Sequence, residues 1–120
     1  MRPYWLTKNR NNKFGNIPKS YGGRIFHSTL EADYAEHLDF LKKAGEIKDY
    51  QTQPRFPLKV KGIKISTIIP DFLIINKYGG EEIHETKSPA SMTPVWQIKW
   101  RLLKVLYPTY KFYIIKRGDF

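Results

Sequence analysis

Apolar residues recur along this chain with two distinct periods. Leu30, Tyr34, Leu38 and Leu41 are three or four apart and form one stripe of an α-helix. Ser28 followed three residues later by Glu31 is a capping-box start, Lys42 and Lys43 suit a negative C-terminal end, and Gly45 is a left-handed stop. The spacing predicts a helix over roughly 29–44. A strand is expected from about Ile47 to Phe56, interrupted by Pro54 and closed by Pro57, so it belongs at an edge or a bulge. Lys61-Gly62 is a turn signal. From Ile63 to Ile75 the chain reads as one strand. Its later half (Ile68, Ile69, Phe72, Leu73, Ile74, Ile75) is apolar on both parities, as in a central strand covered on both faces. Tyr78-Gly79-Gly80 reverses the chain, and Glu82 to Lys87 returns as the antiparallel partner, ended by Pro89.

Thr93-Pro94 opens a second helix, a cap residue followed by proline in the first turn, and Pro108 closes it after about Tyr107. This helix carries two apolar stripes. One is Val95, Ile98, Leu102 and Val105, the other Trp96, Trp100, Leu103 and Tyr107, with Gln97, Arg101 and Lys104 as a polar line between them. Either it is a well-covered core helix, or the Trp stripe makes a homodimer contact. Tyr110 to Ile115 is a final strand. The order α-β-β-β-α-β predicts an α/β fold with a mixed central sheet flanked by helices.

The 120 residues are enough for one domain. Residues 1–23, rich in Asn, Lys, Gly and Pro, read as an irregular arm, and residues 24–120 as the folded body. Charge changes the picture: 21 Lys and Arg against 11 Asp and Glu leave a formal +10, an attractor of polyanions such as nucleic acid. Arg2, Lys8, Arg10, Lys13, Lys19 and Arg24 precede the first acidic residue, which makes the arm a candidate phosphate tracker, with Lys13 and Arg24 as candidate DNA contacts. The absence of cysteine excludes disulfides and thiolate metal sites. No apolar run reaches membrane-spanning length and no signal peptide is visible, so the default location is the cytoplasm, with no membrane partner.

Asp71 is chemically anomalous, because a lone carboxylate in the most apolar strand is costly unless paired or bound to a metal. Counting around the Tyr78–Gly80 turn sets Asp71 opposite Glu85, about 5 Å away between Cβ atoms, on one face. Two acids so placed repel. Lys87, two residues on, shares that face and offsets them in part. A divalent cation does so better, and carboxylate oxygens suit Mg²⁺. A surface hairpin with a cross-strand salt bridge accounts for Glu85 and Lys87, but not for Asp71 among Ile68, Ile69, Phe72 and Leu73. Glu31 is either a third acid abutting this face or simply the return half of the Ser28 capping box. His84 should face away from the acids by strand alternation. His27 and His37 lack partners at ligand spacing, which argues against zinc.

Pro70-Asp71 and Glu85-Thr86-Lys87, with Glu31 in the first helix, resemble the PD-(D/E)XK nuclease superfamily, whose core has the same order of elements. Over about residues 22–115 the run GGRIFHSTLEADYAEHLDFLKKAGEIKDYQTQPRF, then PDF and HETK, is similar to a family of small phage and prophage endonucleases related to Holliday-junction resolvases. Thr86 stands where that pattern favours an aliphatic residue, and Ser88 follows the lysine. The resemblance implies a restriction-endonuclease-like core. It implies Mg²⁺, replaceable by Mn²⁺, on Asp71, Glu85 and the Thr86 carbonyl, with Glu31 bound directly or through water and the Thr86 side chain of little consequence. Lys87 would orient or deprotonate the attacking water, leaving 5′-phosphate products. Gln53 would match a Gln-Pro element near related active sites, or be an ordinary strand amide. Gln97 and Lys99 fall where related nucleases approach DNA phosphates, and Arg101 is a further candidate DNA contact.

The expected function is therefore Mg²⁺-dependent, structure-selective DNA cleavage, as by a phage-type Holliday-junction resolvase working as a homodimer in the host cytoplasm. The alternatives are a nicking or transposon-end nuclease acting with partner proteins, and a non-catalytic nucleic-acid-binding module on the same fold.

Overall fold

A computed structural model describes residues 19–120; Lys13 and the other arm residues up to 18 lie outside the described residues. Strands β1 (Lys19–Tyr21) and β2 (Arg24–Phe26) form a small hairpin. Its turn is Gly22-Gly23, both at positive φ, where a side chain would be strained. Residues 19–21, assigned by composition to the arm, thus pair with the strand that begins at Arg24. Among the described residues no helix is long and apolar enough to cross a membrane.

Helix α1 spans Thr29–Lys43, and the Ser28 hydroxyl caps it by accepting from the Glu31 N–H at 3.1 Å. Gly45 supplies the left-handed stop at φ 78°. Strands β3 (Ile47–Thr52), β6 (Phe72–Asn76), β7 (Glu81–Thr86) and β8 (Lys111–Ile115) make a sheet in the order β3-β6-β7-β8. β6 is antiparallel to both neighbours, and β8 lies parallel to β7. Helix α2 (Pro94–Leu106) joins β7 to β8 and is capped by the Thr93 hydroxyl. The described residues are thus α/β, with a mixed sheet and two α-helices.

Strand alternation explains the core. Phe72 and Ile74 pack with Ala32, Tyr34, Ala35 and Leu38 of α1, while Leu73 of β6 and Ile83 of β7 pack with Trp100 and Leu103 of α2. β6 is apolar on both parities because a different helix covers each face. Each fully buried large apolar side chain contributes about 1.5–3 kcal/mol.

Two expectations fail at prolines. The strand expected over Ile47–Phe56 ends at Thr52, and the one expected over Ile63–Ile75 divides at Pro70. Between these breaks, β4 (Phe56–Val60) and β5 (Ile63–Ile68) form a separate two-stranded hairpin, so five strands, not three, lie between the helices. Pro54 and Pro70 cannot donate to a ladder, and each marks a point where the chain changes sheets. Gln53, at φ 53°, donates its N–H to the Asp71 carbonyl at 2.8 Å and ties the hairpin base together. The hairpin packs its Phe56, Leu58 and Ile68 against α2.

That packing also decides which stripe of α2 faces inward. Trp100 and Leu103 are buried and Trp96 stacks on Trp100, whereas Val95 and Ile98 are 65% and 63% exposed. The Trp stripe is therefore the one turned toward the core, with Trp96 and Tyr107 only partly buried.

Candidate functional site

The register Phe72↔His84 continues by one step to set Asp71 across from Glu85, where β6 begins and β7 ends. Asp71 Oδ2 accepts from the Thr86 N–H at 2.8 Å and from the Thr86 hydroxyl at 2.6 Å. The Thr86 side chain, expected to be of little consequence, thus holds Asp71 directly. Glu85 is fixed at both oxygens: Oε1 accepts from the Asp71 N–H and Oε2 from the Trp96 indole N–H, each at 2.9 Å. Lys87 Nζ sits 3.8 Å from Glu85 Oε2 and 4.7 Å from the centre of the Trp96 ring, a cation–π contact. Trp96, read from the sequence only as part of an apolar stripe, therefore orients both the acid and the lysine. Nothing in the periodicity distinguishes it from a core aromatic.

Glu31 arrives from the first turn of α1. Only its N–H serves the cap. Its carboxylate lies 3.4 Å from His27 Nδ1, and its Oε1 is buried without a hydrogen-bond partner. The return half of a capping box would satisfy that oxygen, so the cap does not account for the acid. One donor atom each from His27, Glu31 and Asp71 lie within 4.8 Å of one another. His27 does have partners at ligand distance, contrary to expectation. The signal missed was its position four residues before Glu31.

Glu31, Asp71 and Glu85 are 1%, 8% and 5% exposed. Burial, then the charges of Glu85 and Glu31, push the Asp71 carboxyl well above the usual carboxylate range, against the two Thr86 hydrogen bonds. Burial also raises Glu85, opposed by the Lys87 ammonium and by the hydrogen bonds with Asp71 and Trp96. Such crowding favours neutralisation by protons or by a cation.

The acids line an open cleft of about 520 Å³ whose rim includes Ser28, Thr93, Lys87 and Lys99. Ser28 and Thr93 cap the two helices, so both positive helix ends border the cleft. A second cleft shares Ser28, Thr86, Lys87 and Ser91 with it and adds Lys116 and Arg117, a basic pair directly after β8 that sequence reading passed over. The other expected DNA contacts are dispersed. Lys99 reaches the cleft and donates to the Thr67 carbonyl at 3.3 Å. Gln97 is spent on the Met92 carbonyl, and Arg101 is exposed but is not among the cleft-lining residues. Gln53 meets Asp71 through its backbone alone among the hydrogen bonds described. Arg24 donates to the Tyr50 hydroxyl at 2.6 Å and lies 3.9 Å from Asp39, on the α1–β3 side. His84 shares a 2.6 Å hydrogen bond with Tyr34 and another with Glu82, on the face opposite Glu85.

A family model described as a protein of unknown function, DUF1064, matches residues 11–119. Comparison with curated proteins and with solved structures finds no match.

Proposed function

The chain thus belongs to the DUF1064 family, and from its site we propose a metal-dependent endodeoxyribonuclease with a restriction-endonuclease-like core, cleaving branched DNA such as a four-way junction. One observation carries this reading: three buried carboxylates and a lysine, from α1, the start of β6 and the end of β7, meet in one cleft of a chain with a formal +10. A protein that only bound DNA would gain nothing from acids buried beside phosphates.

The donor set fits a divalent cation, since an orphaned carboxylate oxygen and a crowded Asp71 are both relieved by one. Asp71, Glu31 and Glu85 would hold it, joined by the Thr86 carbonyl. Bound there, a divalent ion supplies polarisation of the scissile phosphate and acidifies a coordinated water. The chain does the rest by position. Thr86 and Trp96 clamp Asp71 and Glu85 in place. Lys87, held by the Trp96 face and by Glu85, presents its ammonium to the attacking water and offsets negative charge on the phosphate. The helix caps and Lys99 at this cleft, with Lys116 at the neighbouring one, draw the sugar–phosphate backbone past the acids.

Incubating four-way junctions, flaps, nicked duplex and linear duplex with the protein in Mg²⁺, Mn²⁺ or EDTA tests the proposal. Paired symmetrical nicks with 5′-phosphate ends, absent in EDTA and from an Asp71→Asn protein, are the expected result. Uncut DNA in every condition, from protein that binds it, would leave only the binding-module reading.

A further inference from the structure

Resting on the metal-centre reading above, we infer that His27 is a protein ligand of the bound ion, a nitrogen donor that turns the site toward Mn²⁺ or a later first-row divalent ion and away from Mg²⁺. The motif that identifies the acids is all-oxygen and does not include this residue.

His27 immediately precedes the Ser28 cap of α1, so the helix start fixes its backbone next to Glu31. Its Nδ1 lies 3.4 Å from Glu31 Oε2, and the three donor atoms of His27, Glu31 and Asp71 fall within 4.8 Å. Donors about 2.1 Å from one octahedral ion stand roughly 3 Å apart when adjacent and roughly 4.2 Å when opposite. The trio is therefore already near ligand spacing. The movable member supplies the remaining contraction, since the His27 side chain is 46% exposed and that of Glu31 only 2%.

A histidine–glutamate ion pair alone does not account for the arrangement. Glu31 Oε1 is buried with no partner, beside an Asp71 that burial and two neighbouring acids already crowd. An ion seated among the three would neutralise the carboxylate to which that oxygen belongs. Glu85, meanwhile, is occupied at both oxygens by donors from the Asp71 backbone and Trp96. The unpartnered carboxylate oxygen near Asp71 thus belongs to Glu31 of α1. Imidazole binds Mn²⁺, Fe²⁺ or Zn²⁺ well, while Mg²⁺ takes oxygen donors and keeps its waters, so one nitrogen in the set favours the transition ion.

The test uses the full chain with Mn²⁺ as the probe. Electron spin-echo envelope modulation on the Mn²⁺-loaded protein should show coupling to a directly bound ¹⁴N, and His27→Ala should abolish it while His37→Ala preserves it. Calorimetric titration should show tighter binding of Mn²⁺ than of Mg²⁺. In His27→Ala, Mn²⁺ affinity should fall about tenfold or more while Mg²⁺ affinity changes far less. His27→Gln, which keeps a donor but not the nitrogen, should lose the preference without losing the site, and unchanged circular dichroism melts would show that all variants fold.

Mn²⁺ binding that depends on Asp71 but shows no ¹⁴N coupling, with affinity and preference unchanged in His27→Ala, would overturn the His27 assignment and leave the acidic centre standing. Failure of the folded protein to bind either ion at millimolar concentration would overturn both.

Discussion

Asp71→Asn is the substitution that most directly measures how strained the acidic cluster is. The side chain keeps its shape and one acceptor oxygen, so the Thr86 N–H and hydroxyl retain a partner. What disappears is the negative charge. Two unit charges no more than 4.8 Å apart, the bound that holds for the donor atoms of the His27–Glu31–Asp71 group, repel by at least about 3 kcal/mol at an effective dielectric of 20. Weakening two charge-assisted hydrogen bonds to neutral ones costs about 1 kcal/mol each. The balance is a metal-free variant more stable than the parent by about 1 kcal/mol, or roughly 3–5 °C in Tm.

The effect has a definite pH dependence. The folded pKa of Asp71 is raised above its ordinary 3.8, so folded protein holds this proton over a range where the unfolded chain has released it. Parent stability in EDTA should fall as pH rises above the ordinary carboxylate value, by up to about 1.4 kcal/mol per pH unit per proton, until the folded group also ionises. Asn carries no such proton, so the variant's advantage should be largest near pH 8.5 and vanish near pH 4. Urea denaturation followed by circular dichroism in EDTA at both pH values measures it. Adding saturating divalent ion should reverse the ranking, because binding stabilises the parent by about 2.7 kcal/mol at a hundred times Kd and the variant by far less. A variant that is less stable than the parent at pH 8.5 in EDTA would refute the crowding, since the carboxylate would then be a net stabilising group.

Lys87→Ala should reduce cleavage of the preferred DNA by about 10²–10⁴-fold while gel-shift affinity changes little; full activity would remove the lysine from the chemistry. Trp96→Phe keeps the ring beside Lys87 but leaves Glu85 Oε2 without its donor, and should cost about 1.5–3 kcal/mol in urea melts and lower kcat with KM for DNA unchanged. Deleting residues 1–18 removes Arg2, Lys8, Arg10 and Lys13 and should flatten the salt dependence of DNA binding, the slope of log K against log salt falling by up to about 3–4. An unchanged slope would mean the arm does not touch phosphate.

The sequence alone determined whatever depends on neighbours a few residues away. Both helices begin at their expected caps, since a Ser or Thr hydroxyl and the third N–H after it are joined by local chain geometry. The juxtaposition of Asp71 and Glu85 was likewise legible, because a turn at Tyr78–Gly80 and a two-residue side-chain period leave one register across the hairpin. The double-sided apolar pattern of Phe72, Leu73 and Ile74 identified the strand that both helices cover.

Tertiary structure decided the rest. Pro54 and Pro70 signal interruptions, but only packing against α2 shows that the segment between them leaves the main sheet as a hairpin of its own. The same packing turned the Trp stripe inward and brought the Trp96 indole to Glu85. His27 and Asp71 are 44 residues apart in the chain and belong to different elements, so no local period relates them. Their meeting depends on how the start of α1 seats against the end of the sheet, and that seating is set by long-range burial of Tyr34, Ala35 and Leu38 rather than by any pairing rule readable along the chain.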